Sequence, residues 1–476
     1  MSAALPGKGE GDFRARSRAA LADATLQGAL ERLGRGFAEK RASAIAALPE
    51  FEALKADGQA IRRHVIAHLD HYLERFEAEV VRRGGHVHWC ADADAARAAV
   101  LTICRAAGAR TVTKGKSMVS EEVRLNAFLE ENGIEPVETD LGEYLIQLDG
   151  KPPSHIIGPA LHMTQAEVEA LFRDRHRHLD PGRDLEAAEA LVAEARQVLR
   201  PRYFAADVGI TGANFIVAET GSTLIVTNEG NGDLTQSLPR VHVVLTSIEK
   251  VVPTHEDAAT LLRVLARSAT GQDMSVYTTF STGPRRPEDA DGPEEFHVVL
   301  LDNGRSALLG TEFEEMLRCI KCGACMNHCP VYGAVGGHAY EGVYMGPMGA
   351  VLMPAIEGLH AHSDLPAAST FCGRCAEVCP MDIPLPRLMR RWRERAFAEG
   401  IPAPVERWGL RIWAMLARRP AAYRLAARAA AFVLSRLGNR GFARLPLTAG
   451  WAAGRDMPAP SGRTFSDLWA ERRHGR

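Results

Sequence analysis

The chain has 476 residues, of which 46% are hydrophobic and 24% charged, with a formal net charge of −2. This composition excludes a disordered chain and is ordinary for a soluble protein of two or three domains, and no apolar run is long enough to span a bilayer. The charge is unevenly distributed along the chain. Residues 381–476 hold 19 Arg, no Lys and 7 acidic residues, so their net charge is +12 and that of the rest of the chain is −14.

Residues 1–84 are predicted to form a helical N-terminal region. Apolar residues recur there at intervals of three and four positions, the period of an amphipathic helix, as in Val65, Leu69, Leu73 and Phe76. We expect these helices to pack on the domain that follows.

Residues 85–302 alternate between short β-type runs and helical patterns. Such alternation predicts a parallel sheet covered by helices, here an α/β domain. A long helical patch at 163–200 indicates an insertion or a crossover, and residues 219–222 join two strands as a hairpin. The predicted strands are 86–90, 111–113, 134–137, 214–218, 223–227, 241–248, 275–280 and 296–301.

Three loops of this domain combine glycine with polar residues just after strands, at 114–117, 219–222 and 228–233. Loops of this kind can bind an anion through backbone N–H groups, with Lys114 or Lys116 as counter-charge, although an ordinary strand-to-helix turn is the alternative for each. None matches the dinucleotide fingerprint or the phosphate-binding P-loop, so we expect no bound flavin or nicotinamide. Cys90 and Cys104 lie in apolar patterns and are interpreted as core thiols.

Seven of the nine cysteines lie between Cys319 and Cys379. They form a C-x2-C-x2-C-x3-C-P run followed by a shortened C-x2-C-x3-C-P copy, the pattern of two-cluster ferredoxins. A zinc site would use isolated C-x2-C pairs without the Cys-Pro endings, and disulfides are not expected in a chain that shows no signal peptide. The cysteines in chain order are Cys319, Cys322, Cys325, Cys329, Cys372, Cys375 and Cys379.

In such ferredoxins the last cysteine of each run binds the other cluster. Cys319, Cys322, Cys325 and Cys379 are therefore expected to hold one [4Fe–4S] cluster. Cys329, Cys372 and Cys375 are left for the second, which is one thiolate short. Ser369 stands where a complete second run would place its first cysteine, so it is a candidate fourth ligand, beside another oxygen or nitrogen ligand or solvent.

Several runs resemble the lactate utilisation protein B family, namely residues 114–122, 140–147, 154–160 and 218–230, followed by the seven cysteines. The resemblance implies a lactate-utilisation α/β domain, similar to the sugar-phosphate isomerase and CoA-transferase group, at 85–302. It further implies an α-helical ferredoxin-type module at 303–395. A basic helical extension at 396–476 carries little of the likeness, and we expect it to be particular to this chain.

The resemblance implies an electron-transfer subunit of a cytochrome- and NAD-independent system that oxidises L-lactate to pyruvate. Its implied partners are a cysteine-rich subunit, a second subunit with a lactate-utilisation domain, and an electron acceptor; we expect no nucleic acid. Two alternatives stay open: the α/β domain itself binds and oxidises a 2-hydroxy acid, or the chain serves another hydroxy-acid dehydrogenase. A regulatory module for an anionic metabolite is a third class.

The basic C-terminal part from residue 381 holds five tryptophans, the first three interleaved with arginines between Arg390 and Arg419, a composition typical of a helical surface at an interface. We expect it to dock on a partner or on the inner face of the membrane, with the chain otherwise cytoplasmic. A solvated, arginine-rich tail is the alternative. The tryptophans are Trp392, Trp408, Trp413, Trp451 and Trp469.

Overall fold

The computed structural model describes residues 12–437 and 460–474. The chain divides into two units, Met1–Arg395 and Ala396–Arg476. No helix within the described residues is long and apolar enough to cross a membrane. The first unit opens with four helices: α1 (Phe13–Ala22), α2 (Ala24–Ala46), α3 (Phe51–Ala67) and α4 (Leu69–Arg82).

Strands and helices then alternate, as the pattern predicted. The elements are β1 (His86–Cys90), α5 (Ala93–Ala106), β2 (Thr111–Gly115), α6 (Met118–Glu122), α7 (Leu125–Glu131), β3 (Glu135–Glu138), α8 (Leu141–Asp149), α9 (Gln165–Arg175), α10 (Ala188–Ala205), β4 (Val208–Thr211), β5 (Phe215–Val217), β6 (Ser222–Thr227), α11 (Asn231–Ser237), β7 (Val241–Ser247), β8 (Val251–Val252), α12 (His255–Ala269), β9 (Tyr277–Ser281) and β10 (Glu295–Leu301).

Six strands form a parallel sheet in the order β1-β10-β7-β4-β2-β3. Its strands are largely buried and rich in Val, Ile and Leu, as expected where helices cover both faces. The predicted hairpin is confirmed, since β5 and β6 pair antiparallel across residues 218–221. A second sheet, β8-β5-β6-β9, was not anticipated, because strand pairing between distant segments leaves no local signal.

The helical patch predicted at 163–200 is not continuous. Helix α9 ends at Arg175 and α10 begins at Ala188, and the intervening residues contain the Pro181-Gly182 turn signal that the prediction overlooked. Together they form the crossover between β3 and β4, and they pack on α8 around Phe172 and Tyr144.

Short helices make up the cysteine-bearing part of the first unit, and longer ones the second unit. In chain order they are α13 (Ala324–Asn327), α14 (Pro330–Val335), α15 (Gly346–Ile356), α16 (Arg374–Glu377), α17 (Leu385–Ala398), α18 (Pro404–Ala417), α19 (Pro420–Leu437) and α20 (Phe465–His474).

The N-terminal helices contact two regions. Helices α3 and α4 pack on the α/β domain as predicted, with Val65, Leu69 and Phe76 in one core cluster with Phe296 of β10. Helices α1 and α2 lie against the cysteine-bearing segment, where the Arg16 side chain donates to the Ala339 carbonyl at 3.0 Å, and α2 also contacts α12 of the α/β domain. The N-terminal region thus ties that segment to the sheet.

Candidate iron–sulfur site and adjoining cleft

Four of the cysteines face one enclosed, mostly apolar cavity. Its wall also includes Ile156, Met316 and Met348. The charge of Cys379 adds to burial in raising the pKa of Cys322 to about 12, which shows how near the last cysteine lies to the first run. The four are Cys319, Cys322, Cys325 and Cys379.

The backbone around this group takes the left-handed conformation at two positions. Lys321 has φ +59° and Gly323 has φ +73°, so the chain coils tightly between the sulfurs. A Cβ on Gly323 would lie 2.9 Å from the end of the Ile157 side chain, and the left-handed backbone at this position favours glycine. The coil turns the Lys321 N–H toward the Cys319 Sγ, at 3.4 Å.

The remaining three cysteines, Cys329, Cys372 and Cys375, lie near one another. Burial, followed by the charge of Cys329, raises the pKa of Cys375 to about 12, and burial, with a contribution from the charge of Cys372, raises the pKa of Cys329. Cys329 caps α14, where it accepts from the Tyr332 N–H at 3.5 Å, and Pro330 occupies the first helical position. Cys372 is exposed, so this second group reaches the protein surface.

Ser369 stands in the second coil where Cys319 stands in the first. The Phe371 N–H donates to the Ser369 hydroxyl at 3.1 Å, just as the Lys321 N–H donates to Cys319. Phe371 has φ +54°, matching the left-handed Lys321. The two coils therefore repeat the same backbone turn, with an oxygen in place of one sulfur.

The chemistry of these residues fits iron–sulfur clusters. Burial raises the pKa of Cys322 and Cys325 and so favours the neutral thiols. Positively charged iron would stabilise these enclosed sulfurs as thiolates. No three His, Cys, Asp or Glu side chains in residues 12–437 and 460–474 converge on one metal-ion position. A [4Fe–4S] cubane needs a different arrangement, in which each thiolate binds a different iron atom.

One tyrosine beside the second group had not been singled out from the sequence. Tyr340 is 1% exposed, and in the described part of the chain its hydroxyl has no hydrogen-bond partner. Burial and then the charge of Cys329 raise its pKa well above the usual value. A buried hydroxyl without a partner is costly, and a cluster sulfur nearby would give it an acceptor.

Two arginines, one buried and one half-buried, place positive charge near the first group. Arg62 is 1% exposed and donates to the carbonyls of Val251, Glu249 and Leu317, the last at 2.7 Å. It lies close enough to Cys319 to interact with its charge, and Arg41 interacts similarly with Cys322. These cations favour thiolates in the cavity.

A cleft of about 470 Å³ opens at the carboxyl ends of the parallel strands, where α/β sheets bind ligands. Residues that follow four neighbouring strands line it: Lys116 after β2, Asp140 after β3, Ala213 after β4 and Lys250 after β7. The loop 228–233 contributes Asn228 and Glu229, so two of the three predicted loops meet here.

Lys114 does not reach this cleft, contrary to the expectation that it could serve an anion. It is fully buried and its ammonium group pairs with Glu138 at 2.6 Å and Glu121 at 2.8 Å. These carboxylates neutralise the charge of Lys114, so it cannot serve as the counter-charge for a bound anion. Lys116 lines the cleft but pairs with Asp140 and Glu229.

The third predicted loop, 219–222, forms the hairpin turn and lies in a separate groove with Arg83 and His255. The core interpretation of Cys90 and Cys104 is confirmed, since both pack in one buried cluster with Val112.

Trp392 is not an interface residue. Its ring stacks on Phe313 with centroids 4.0 Å apart and its N–H donates to the Val351 carbonyl at 2.9 Å, so it belongs to the core of the first unit. Trp408 and Trp413, by contrast, are more than half exposed on α18, and Trp469 is about half exposed. Trp451 lies outside the described residues.

Three family models match consecutive parts of the chain: a LUD domain at 73–301, a 4Fe-4S dicluster domain at 315–383, and the C-terminal region of lactate utilisation protein B at 401–474. Lactate utilization protein B of Bacillus licheniformis is 39% identical over 469 residues, which is 97% of each chain. That of Lysinibacillus sphaericus is 41% identical, again over 97% of each. The chain belongs to the lactate utilization protein B family. It has iron–sulfur clusters and a role in lactate utilisation.

The match at 401–474 corrects one expectation. The basic extension is not particular to this chain, because it carries a family domain of its own. The protein of Geobacillus thermodenitrificans shows the same extent, with 42% identity over 93% of this chain and 92% of that one. Among solved structures, a DUF162 family protein from Deinococcus radiodurans gives a TM-score of 0.27 at 14% identity, over 49% of this chain and 98% of that one, and it carries no argument about the fold.

Proposed function

We propose that this member of the family is an electron carrier in L-lactate oxidation, a subunit that relays electrons rather than one that activates lactate. The observation that carries the proposal is the layout of the two cysteine groups. The first is enclosed beside the cleft of the α/β domain, and the second reaches the surface at Cys372. A carrier needs one end near a donor and another end open to an acceptor.

Cys319, Cys322, Cys325 and Cys379 would hold the first [4Fe–4S] cluster. The second would be held by Cys329, Cys372 and Cys375, with Ser369 at the fourth corner. When bound, such clusters take up and release single electrons. The protein supplies thiolates, N–H donors to sulfur, and the nearby arginines, all of which tune the reduction potential.

The surface beside Cys372 is positively charged. Arg393 and Arg390 lie over the Phe371 ring, at 5.1 and 6.0 Å from its centroid, and Arg374, two residues after Cys372, is exposed and pairs with Glu377. Such a patch favours an acidic partner and makes association sensitive to salt. We assign it to the electron-accepting or electron-donating partner, for which the cysteine-rich subunit and the second subunit with a lactate-utilisation domain are the candidates.

For the α/β domain we propose the architecture of the sugar-phosphate isomerase and CoA-transferase group, which the helix-covered parallel sheet supports. We further propose a cytoplasmic protein whose second unit docks on an anionic membrane surface. Trp408 and Trp413 stand beside arginines on α18, as in helices that lie at a membrane interface. A chain ending after residue 400 should keep its cluster content and lose salt-sensitive binding to anionic vesicles; unchanged vesicle binding would refute the docking role.

A second candidate function is oxidation of the 2-hydroxy acid by the α/β domain itself, favoured by the cleft beside the first cysteine group. The two are separated by adding L-lactate to the anaerobic, cluster-loaded chain and recording visible absorption. The carrier proposal expects bleaching only when the partner subunits are present. Bleaching by lactate with the purified chain alone would replace it with the dehydrogenase.

A further inference from the structure

The cleft at the carboxyl ends of the strands has the properties of a binding site for an organic molecule. Its volume of about 470 Å³ lies within the range of small-molecule sites, which are mostly apolar with a few placed polar groups. Ile157, Leu161, Leu265 and Ala266 provide apolar wall. The polar lining of the cleft comes from Lys116, Asp140 and Glu143 after β2 and β3, from the 228–233 loop, and from Lys250 after β7.

Two of the lysines that line this cleft lie close enough for their charges to interact. The Lys250 ammonium group donates to the Ala213 carbonyl at 2.6 Å, and the Lys321 ammonium group lies over the Tyr344 ring, 4.4 Å from its centroid. Burial, together with the nearby charges of Lys321 and Arg305, lowers the pKa of Lys250 to about 8, against the opposing charge of Glu249. Glu249 is already engaged by Arg305 at 3.0 Å.

The cleft and the first cysteine cavity share a wall. Ile156 and Lys321 line both spaces, and Lys321 is the residue immediately before Cys322. A molecule held by the lysines would therefore lie next to the first cluster position.

We propose that this cleft binds a small organic carboxylate of the 2-oxo or 2-hydroxy acid class, with its carboxylate between Lys250 and Lys321 and its carbon chain against the apolar wall. An anion there relieves the repulsion between the two ammonium groups and gains two charge-assisted hydrogen bonds. The inference rests on the proposed function only for the choice of acid, and the site can exist whether or not the chain oxidises its ligand.

The test is a calorimetric titration of pyruvate into the anaerobic, cluster-loaded full chain. Lys250→Met should weaken pyruvate binding about ten- to hundredfold, which is the change expected when a hydrogen bond to a charged group is lost. Lys250→Arg, which keeps the charge, should restore most of it. Lys151→Met is the matched control, since Lys151 is an exposed lysine outside the cleft. Unchanged pyruvate affinity in Lys250→Met would overturn the proposal.

A second measurement uses the unaltered protein and so does not depend on the folding of a variant. Acetylation by an N-hydroxysuccinimide ester, followed by peptide mass analysis, should modify Lys250 more slowly when pyruvate is present and Lys151 at the same rate. Inorganic phosphate at equal concentration should protect Lys250 less. Equal protection by phosphate, or none by pyruvate, would reject a carboxylate site.

The affinity should also depend on pH. The charged groups that face Lys250 are Lys321, Glu249, Arg305 and Glu122. Because an anion binds the protonated lysine, affinity should be full below about pH 8 and fall as the pH rises through that value. A pH-independent affinity between 6 and 9 would count against Lys250 as the ligand. Failure of these tests would leave the carrier function intact, since none of them involves electron transfer.

Discussion

Replacing Arg305 should destabilise the first unit strongly. Arg305 is fully buried and donates to both carboxylate oxygens of Glu122, at 2.9 and 2.6 Å, while its Nε lies 3.0 Å from Glu249. The Tyr344 hydroxyl donates to the same Glu122 carboxylate at 2.7 Å. Arg305→Met therefore leaves two buried carboxylates without their cation, a loss that typically costs about 3–5 kcal/mol.

The pKa of Glu249 gives a similar value for the stability that Arg305 contributes. Burial alone would raise that pKa, yet the Arg305 and Lys321 charges lower it from 4.5 to about 2, and a shift of this size corresponds to about 3 kcal/mol. A carboxylate whose pKa is lowered by folding stabilises the fold at any pH above its pKa in the unfolded chain. This contribution is therefore present at neutral pH. It should be lost as the pH falls from about 5 toward 2.

Thermal unfolding of the anaerobic, cluster-loaded protein measures the effect. For a unit of nearly four hundred residues the unfolding entropy is about 0.8 kcal/mol/K, so 3–5 kcal/mol lowers Tm by about 4–6 °C. Arg286→Met is the control, because Arg286 is 71% exposed and its ion pairs are worth at most about 1 kcal/mol. If the two variants melt within about 1 °C of each other, the reasoning about the buried network is wrong.

Further predictions concern the clusters and the cleft. Cys379→Ala should abolish the signal of the four-thiolate cluster, whereas Cys329→Ala should damage the other; an intact four-thiolate signal in Cys379→Ala would contradict the crossed assignment. Mild oxidation should convert the second cluster to a paramagnetic three-iron form, because oxygen ligation is weak at this soft site, and Ser369→Cys should resist that conversion. Equal resistance in both proteins would mean that Ser369 does not limit the second cluster. Pyruvate affinity, finally, should fall between pH 7 and pH 9 in the native chain and stay flat in Lys250→Met.

The cysteine groups could be predicted because their information is local. Most sulfurs of each cluster come from one short coil, three in the first and two in the second, and spacing alone defines that coil. Ser369 was found in the same way, by its offset from Cys372, and the matching N–H contact at Phe371 supports that alignment.

The cleft could be predicted only in part: two of its loops follow strands and were candidate anion-binding loops, but its other lysines come from distant segments. Lys250 follows β7 and Lys321 lies within the cysteine run, and only the fold brings them together. Lys114 misled for the opposite reason: its loop has the composition of an anion site, but Glu138, 24 positions away, pairs with it inside the core. Trp392 likewise lies among arginines as the surface tryptophans do, and only its stacking on Phe313 places it inside.

The cleft and the first cysteine group are held in a fixed relation by buried cations rather than by a flexible link. Arg62 joins the carbonyls of Glu249 and Val251, at the end of the sheet, to that of Leu317 just before Cys319. The electric field of a carboxylate bound in the cleft should therefore act on the first cluster, and no domain movement is needed. Pyruvate should shift the paramagnetic signal of the reduced first cluster and leave that of the second unchanged, and Lys250→Met should remove the shift. A shift of equal size in both clusters would indicate a global change instead and refute this local coupling.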